Sequence, residues 1–181
     1  MQAKISAKLR KIKCFVLDVD GVLTDGGIII GSNGTEYKKF DVKDGSGIAL
    51  ARHVGMKFAI ISGRYSKVIQ IRATELKIDA VYQNILVKID AYNNIKDKFC
   101  LKDEEICFVG DEIIDIPVME KCGFAFAPAD AVLETRQTAD YVCKSSGGHG
   151  CVRESIEMVL KSQGLWGKAI ARYLRYEKPI L

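Results

Sequence analysis

A short apolar run that ends in two carboxylates is the feature that most constrains the fold of this chain. Residues 14–17 (Cys-Phe-Val-Leu) lead directly into Asp18, Val19, Asp20 and Gly21. Such a run is typical of a strand that is buried on both faces. Two carboxylates about 4 Å apart repel by about 4 kcal/mol at an effective dielectric constant of roughly 20. A divalent cation on oxygen ligands is the simplest partner for them, and the alternative is an ordinary Asp-Gly turn.

Further apolar runs alternate with helical patterns along the 181 residues. The runs at 58–61, 80–82 and 106–109 are each followed by a helical segment. Strands that alternate with helices predict a doubly wound α/β fold, with a mostly parallel sheet and helices on both faces. We divide the chain into a basic leading segment that we expect to be solvated, one α/β domain and a C-terminal tail: 1–12, 13–164 and 165–181.

An inserted β-hairpin is predicted at about residues 26–41. Asn33 and Gly34 form a strong turn dipeptide, and apolar residues flank it on both sides. Because an isolated hairpin is only marginally stable, we expect this one to pack against something else, such as another subunit. The glycine-rich stretch at 147–150 is predicted to be a flexible loop.

Composition and charge exclude several classes of function. The net charge is only +4 and no run of five like charges occurs, so nothing indicates binding to nucleic acid. No apolar run approaches the roughly 18 residues of a membrane span, so no membrane partner is predicted. The six cysteines lack metal-ligand spacing, and no secretory signal precedes them. We expect reduced core thiols in a cytoplasmic protein.

Polar residues follow the predicted strands where each strand ends. The carboxyl ends of the strands in an open α/β sheet are the place where ligands bind. Each of these residues alone also fits a turn or a solvated lysine, but their joint placement indicates a site. The set comprises Asp18 and Asp20 after the first strand, Ser62 after the second, Lys88 after the third, and Asp111 and Asp115 after the fourth.

The charges in this set suit the transfer of a phosphoryl group. A divalent cation would bring the acids close to neutrality and allow a phosphate dianion to approach. One carboxylate of the Asp18/Asp20 pair could attack phosphorus, and the other could protonate the leaving alcohol and later activate water. The Ser62 hydroxyl, loop amides and Lys88 would hold the transferring group.

These residues resemble the four motifs of the haloacid dehalogenase superfamily of phosphatases. The resemblance implies that Asp18 is the nucleophile and Asp20 the acid/base. It also implies that Mg²⁺ is bound by Asp18, the backbone carbonyl of Asp20 and Asp111. Phosphate binding would fall to Ser62, Gly63 and Lys88, with Asp115 in support.

A longer set of motifs resembles one capless family in that superfamily, the 3-deoxy-D-manno-octulosonate 8-phosphate phosphatases. These motifs are the segments 20–26, 40–45, 115–120 and 147–154, together with the hairpin. The resemblance implies a phosphate ester of a sugar acid as substrate. It also implies a homotetramer in which the hairpins associate and a neighbouring subunit closes the active site. Two departures stand out: Glu112 occupies a position that is often Asp, and the residues before Lys88 match loosely.

The substrate and the wider class of protein leave alternatives open. Related phosphatases act on nonulosonate 9-phosphates, whose sugar acid is one carbon longer, and there an acidic residue is typical where this chain has Arg64. We take Asp25, Arg64 and Lys67 as candidates for substrate specificity, since cations suit a sugar-acid carboxylate; a solvated helix start is the other interpretation of Arg64. A phospho-accepting signalling module and a catalytically silent scaffold are the more remote alternatives.

Overall fold

The computed structural model describes residues 2–176, in which helices cover both faces of a six-stranded sheet. The strands are β1 Cys14–Leu17, β2 Ile29–Ile30, β3 Glu36–Tyr37, β4 Lys57–Ile61, β5 Ala80–Tyr82, β6 Ile106–Val109, β7 Phe124–Ala127 and β8 Tyr141–Val142. The helices are α1 Gln2–Leu9, α2 Val42–Arg52, α3 Lys67–Glu75, α4 Lys88–Phe99, α5 Ile116–Met119, α6 Leu133–Thr138, α7 Cys151–Ser162 and α8 Trp166–Tyr176.

The main sheet has the strand order β5-β4-β1-β6-β7-β8, and every neighbouring pair in it is parallel. From β1 the chain first builds outward through β4 and β5, and then returns to the other side of β1 with β6. The strand order therefore reverses beside β1, and a crevice forms there at the carboxyl ends of β1 and β6. The predicted doubly wound α/β fold is confirmed.

Alternate residues of the central strands enter two separate cores. Phe15 and Leu17 pack on one face of the sheet with α2 and α7, whereas Cys14 and Val16 pack on the other face with α4 and α5. This alternation follows from the two-residue period of a strand. Because both faces are covered, β1 is apolar at every position, and its first polar residue is the one that follows it, Asp18.

The inserted hairpin consists of β2 and β3, which pair antiparallel with Ile29 opposite Tyr37. The turn is closed by the Gly31 N–H, which donates to the Thr35 carbonyl at 2.8 Å. The predicted hairpin at 26–41 is thus present, although each of its strands has only two residues. Ile28, Ile29 and Tyr37 are exposed, so the hairpin presents apolar side chains that nothing covers among the described residues.

The leading segment differs from the solvated stretch that the sequence predicts. It forms α1, and Leu9 and Ile12 are buried in the core beside α7. The Gln163 side-chain amide at the end of α7 donates to the carbonyls of Leu9 (3.0 Å) and Ile12 (2.7 Å). The expectation fails because the basic residues occupy only one side of a short helix, whose other side is apolar.

The predicted C-terminal tail contains a helix within the described residues. In α8 the Trp166 ring lies under the guanidinium of Arg153 and the ammonium of Lys161, at 5.0 and 5.5 Å from the ring centroid. Ala169 is fully buried against the core. The end of the predicted tail, residues 177–181, lies outside the described residues.

Two smaller expectations also need correction. The stretch at 147–150 is not a solvated flexible loop, since Gly147, Gly148 and Gly150 are buried and hydrogen-bonded. All six cysteines are free, as predicted, but Cys100 is exposed rather than part of a core.

The longest helices of the described chain have 12 residues, and none could cross a bilayer, which requires about 20.

Candidate active site

The carboxylates predicted from two separate segments meet at one edge of the sheet. Asp18 follows β1 and Asp111 follows β6, and these two strands are neighbours. Carboxylate oxygens of Asp18, Asp111 and Asp115 all lie within 4.8 Å of one another. The convergence follows from topology, because parallel neighbours end at the same edge.

A buried lysine lies between two of these acids. Lys88 is the first residue of α4, and its Nζ is 2.9 Å from Asp18 Oδ1 and 2.6 Å from Asp115 Oδ1. The side chains of Lys88 and Asp115 are both 0% exposed. Burial lowers the pKa of Lys88, but the charges of the two aspartates outweigh it and raise the pKa above its usual value. The ammonium is therefore charged and aimed at the Asp18 carboxylate.

Asp115 holds the loop that carries Asp111. Its Oδ2 accepts the backbone N–H groups of Asp111 at 3.0 Å and Glu112 at 3.2 Å, while its Oδ1 accepts Lys88. One fully buried carboxylate thus orders both the lysine and the loop after β6, which fits the supporting position predicted for it. The Glu112 side chain is exposed and caps its own following turn at Ile113.

The surroundings of Asp18 and Asp111 are those of a site that needs positive charge. Burial, and after it the charges of Asp18 and Asp115, raise the pKa of Asp111 to about 8. Burial, followed by the charge of Asp115, raises the pKa of Asp18 to about 6. Within residues 2–176, the buried Oδ1 of Asp111 has no hydrogen-bond partner. Crowded oxygen donors, one of them buried and unsatisfied, fit a hard dication such as Mg²⁺.

A glycine permits this arrangement of the acids. Gly21 has φ +90°, and a Cβ at that position would lie 2.0 Å from Asp111 Oδ2. Any other residue would displace the Asp111 carboxylate in addition to straining the backbone. The glycine of the Asp-x-Asp-Gly sequence is therefore required both by its close contact with Asp111 and by the conformation of the turn.

The phosphate-binding candidates line the same cavity as the acids. Ser62 follows β4 and is 2% exposed, and its Oγ accepts the Arg64 N–H at 3.3 Å. The Gly63 Cα lies beside the Ile114 side chain, where an added Cβ would contact it at 3.4 Å. The cavity has a volume of about 270 Å³ and is lined by Asp18, Asp20, Gly26, Ser62, Gly63, Arg64, Lys88, Asp111, Glu112 and Ile114.

The three specificity candidates fare differently. Arg64 lines the cavity, and its guanidinium is 3.5 Å from Glu36 Oε1 of the hairpin. Asp25 is exposed and pairs with Lys39 at 3.3 Å, outside the residues that line the cavity. Lys67 is exposed at the start of α3 and is also absent from the lining. Of the three candidates, only Arg64 lines the cavity of its own chain.

Two hairpin residues of the site were missed by the sequence reasoning. The side chain of Lys38 is only 1% exposed; its ammonium forms an ion pair with Asp20 and lies 3.4 Å from Glu36 Oε1. The two-residue period of β3 is the signal that could have found them, since it puts Glu36 and Lys38 on the face opposite to the exposed Tyr37.

A buried loop supports the segment that carries the acids. The Gly148 N–H donates to the Val22 carbonyl at 2.9 Å, and a Cβ on Gly147 would lie 1.9 Å from the Gly21 carbonyl oxygen. Asp44 in α2 fastens the far end of this loop, because its carboxylate accepts the N–H groups of Gly150 (3.3 Å) and Arg153 (2.7 Å).

A parallel sheet with an aspartate pair after its first strand and a buried lysine opposite is the architecture of one class of hydrolases. Residues 77–154 match the family model of haloacid dehalogenase-like hydrolases. The 3-deoxy-D-manno-octulosonate 8-phosphate phosphatase KdsC of Escherichia coli is 42% identical over 164 residues, which cover 91% of this chain and 87% of that protein. The chain therefore belongs to the haloacid dehalogenase-like hydrolases and, within them, to the family that contains the 3-deoxy-D-manno-octulosonate 8-phosphate phosphatases.

Solved structures agree with this membership. A 3-deoxy-D-manno-octulosonate 8-phosphate phosphatase from Moraxella catarrhalis, in complex with magnesium, phosphate and KDO, superposes with a TM-score of 0.92 at 35% identity, covering 96% of this chain and 99% of that chain. A haloacid dehalogenase superfamily (subfamily III A) hydrolase from Legionella pneumophila superposes with a TM-score of 0.94 at 35% identity, covering 96% of each chain. The predicted family resemblance is confirmed.

Proposed function

We propose that this chain is a Mg²⁺-dependent phosphatase that hydrolyses the phosphate monoester of a sugar acid, 3-deoxy-D-manno-octulosonate 8-phosphate. One observation carries the proposal: the cavity holds the Asp18 carboxylate, the Asp20 carboxylate and the Lys88 ammonium together. That set supplies a nucleophile, an acid/base and a fixed positive charge at one place, which is what the slow hydrolysis of a phosphate monoester requires.

The first half-reaction transfers the phosphoryl group to Asp18. A carboxylate oxygen of Asp18 forms a bond to phosphorus while the bond from phosphorus to the sugar oxygen breaks. Asp20 delivers its proton to that leaving oxygen, so that the sugar departs as a neutral alcohol. Lys88, held by Asp115, keeps the Asp18 carboxylate oriented and offsets negative charge on the transferring group.

The second half-reaction frees the enzyme. Asp20, now a carboxylate, takes a proton from water as the water oxygen bonds to phosphorus and the bond to Asp18 breaks. Ser62, Gly63 and Lys88 hold the phosphoryl oxygens through both steps. Asp18, Asp111 and the Asp20 backbone carbonyl would hold the Mg²⁺, which supplies positive charge to the phosphoryl oxygens when it is bound.

The choice of sugar acid is supported by the relatives and by Arg64. Curated relatives at 36–42% identity are 3-deoxy-D-manno-octulosonate 8-phosphate phosphatases. The Arg64 guanidinium at the cavity is suited to a sugar-acid carboxylate. A nonulosonate 9-phosphate is the second candidate substrate, because it carries the same carboxylate on a sugar that is one carbon longer.

We further propose that the chain works as a homotetramer in which a neighbouring subunit closes the cavity. The exposed apolar side chains of the hairpin, Ile28, Ile29, Ile30 and Tyr37, form the kind of surface expected at such an interface. Lys67 and Asp25, which miss the cavity of their own chain, would then be free to act across an interface.

The reaction is proposed to take place in the cytoplasm. All six cysteines are free, and four of them are buried. Free thiols in this number suit a reducing compartment.

A phosphate-release panel tests the proposed function. We expect turnover of the octulosonate 8-phosphate with Mg²⁺, weaker turnover of a nonulosonate 9-phosphate, and none of either with EDTA. Preference for the nonulosonate ester would reverse the substrate assignment. Absence of turnover on every sugar-acid phosphate, with Mg²⁺ present and the protein folded, would refute the function.

A further inference from the structure

The hairpin sends one side chain into the site. Lys38 follows β3 directly, and only 1% of its side chain is exposed. Its ammonium donates to Asp20 Oδ1 and lies 3.4 Å from Glu36 Oε1. The next lysine along, Lys39, is 62% exposed and pairs with Asp25 at the surface. Adjacent lysines of one segment are therefore in opposite surroundings.

Burial of Lys38 sets its ion pair apart from a surface salt bridge. Lysine is almost never fully buried unless it is paired, because an unpaired buried ammonium is very costly. The Asp20 carboxylate that accepts Lys38 is itself only 22% exposed and lines the cavity. The pair therefore has a fixed geometry at the site rather than a transient contact in solvent.

Charges alternate outward from Asp20 along the rim of the cavity. Glu36 Oε1 lies near the Lys38 ammonium at 3.4 Å and the Arg64 guanidinium at 3.5 Å. Glu36 thus gives the Lys38 ammonium a second carboxylate partner beside Asp20. With two carboxylate partners the ammonium is fixed in position, and it fixes the Asp20 carboxyl in turn.

We infer that Lys38 is a positioning residue for Asp20, an inference that rests on the proposed acid/base role of that aspartate. The hydrogen bond takes Oδ1 and leaves the second oxygen, Oδ2, to carry the proton to the leaving oxygen. When Asp20 has given up that proton, the ammonium of Lys38 lies beside the new carboxylate and stabilises it. Lys38 itself neither gains nor loses a proton in the step.

The consequence is a dependence on the leaving group. A sugar alkoxide is a poor leaving group and needs the proton of Asp20, whereas p-nitrophenolate leaves without one. A positioned general acid contributes roughly 10²–10⁴-fold to a rate. We expect Lys38→Met to lower kcat on the sugar-acid phosphate by about 10-fold or more, as a part of that contribution, with KM little changed. The value of kcat/KM for p-nitrophenyl phosphate should stay within about 3-fold of the wild type. This quantity covers only the steps up to phosphoryl transfer to Asp18, in which p-nitrophenolate needs no proton and Asp20 does not yet act as the base.

Matched variants separate positioning from a purely structural role. Lys39→Met removes the exposed neighbouring lysine and should leave the turnover of both substrates unchanged. In an Asp20→Ala background, Lys38→Met should cause no further loss on the sugar-acid phosphate, because the group that it positions is already gone. If Lys38→Met does not fold, Lys38→Gln replaces it, since glutamine keeps a hydrogen-bond donor without the charge. The loss on the sugar-acid phosphate is again compared with the loss on p-nitrophenyl phosphate.

The outcomes distinguish this inference from the proposed function. A wild-type enzyme that hydrolyses no sugar-acid phosphate would refute the function itself. If the wild type is active, equal losses of kcat/KM on both substrates, or no loss of kcat/KM on either, would overturn the role of Lys38. A loss that adds in full to that of Asp20→Ala would also overturn it.

Discussion

Asp111 is the residue at which the need for a cation is most visible. Its buried Oδ1 has no hydrogen-bond partner among residues 2–176, and its pKa is raised to about 8 by burial and by the neighbouring aspartates. These surroundings favour the protonated form of the carboxyl group over the charged form. A bound dication reverses the preference, because it favours the charged form.

The first prediction concerns the pH dependence of stability without metal. The folded-state pKa values of Asp111 (about 8) and Asp18 (about 6) lie above their ordinary value of 3.8. The folded state therefore binds protons more tightly than the unfolded state. The stability that comes from this tighter proton binding is lost as the pH rises through 6 and then 8. In EDTA, the free energy of unfolding should rise as the pH is lowered from 8 to 6, by up to about 1.4 kcal/mol per pH unit for each proton.

Urea unfolding at several pH values, with EDTA or with Mg²⁺, measures this dependence. Saturating Mg²⁺ should flatten the slope, because the ion keeps both groups ionised, and Asp111→Asn should flatten it in EDTA. A slope of the opposite sign in EDTA, or a slope that Mg²⁺ leaves unchanged, would contradict the description of the site.

At the scale of elements, α7 is held from outside by Asp44 of α2. The helix begins after Gly150, which has φ +101° and offers no side-chain cap. The 1% exposed Asp44 carboxylate accepts the N–H groups of Gly150 and Arg153 instead. Burial raises the pKa of Asp44 to about 6 in spite of these bonds. A residue of one helix thus caps another helix and anchors the loop beneath the active site.

The second prediction follows from this cap. Asp44→Ala leaves buried N–H groups without an acceptor, so we expect it to lower the free energy of unfolding by roughly 1–3 kcal/mol. Asp97→Ala, at an exposed position of α4, should change it by less than about 0.5 kcal/mol. Chemical denaturation measures both variants at one pH. An Asp44 variant as stable as the Asp97 variant would mean that the cap is not needed.

The elements that sequence could predict are those whose pattern is local. The strands at 80–82 and 106–109 have the bounds of the predicted apolar runs, because such a run can be recognised within a few residues. The acids and Lys88 could be brought together because parallel topology fixes where strands end. The sequence reasoning therefore found most of the residues that line the cavity.

What escaped prediction depends on contacts that are distant in sequence. Lys38 looks like any surface lysine until the hairpin folds back over Asp20, 18 positions earlier. Glycine content made 147–150 look mobile, yet the backbone at Gly21 leaves no room for a Cβ on Gly147, and the backbone at Thr24 and Asp25 leaves none on Gly148. The sequence reasoning missed the apolar side of α1 because lysines occupy its other side. The apolar side of so short a helix contains too few residues for its helical period to be recognised.

For the whole molecule, the uncovered hairpin is the feature that a single chain does not explain. Ile29 and Leu133 are equally exposed, at 56%, but Ile29 belongs to a contiguous apolar group with Ile28 and Ile30. Contiguous exposed apolar groups indicate an interaction surface, whereas single ones are ordinary. This contrast supplies a matched pair of variants.

The third prediction tests the proposed assembly. Ile29→Asp should shift the chain from a tetramer to smaller species, because the charge would be buried against another copy. Leu133→Asp should leave the mass unchanged. Size-exclusion chromatography with light scattering measures both variants. A wild type that is monomeric, or an Ile29 variant of unchanged mass, would exclude the hairpin as the interface.

The most direct test of the account replaces its nucleophile. Asp18→Asn keeps the size and shape of the side chain but removes the attacking carboxylate, so phosphate release from the sugar-acid ester with Mg²⁺ should fall to background. Circular dichroism should show an unchanged fold. Turnover by the folded Asp18 variant at the wild-type rate would contradict the claim that this carboxylate attacks phosphorus.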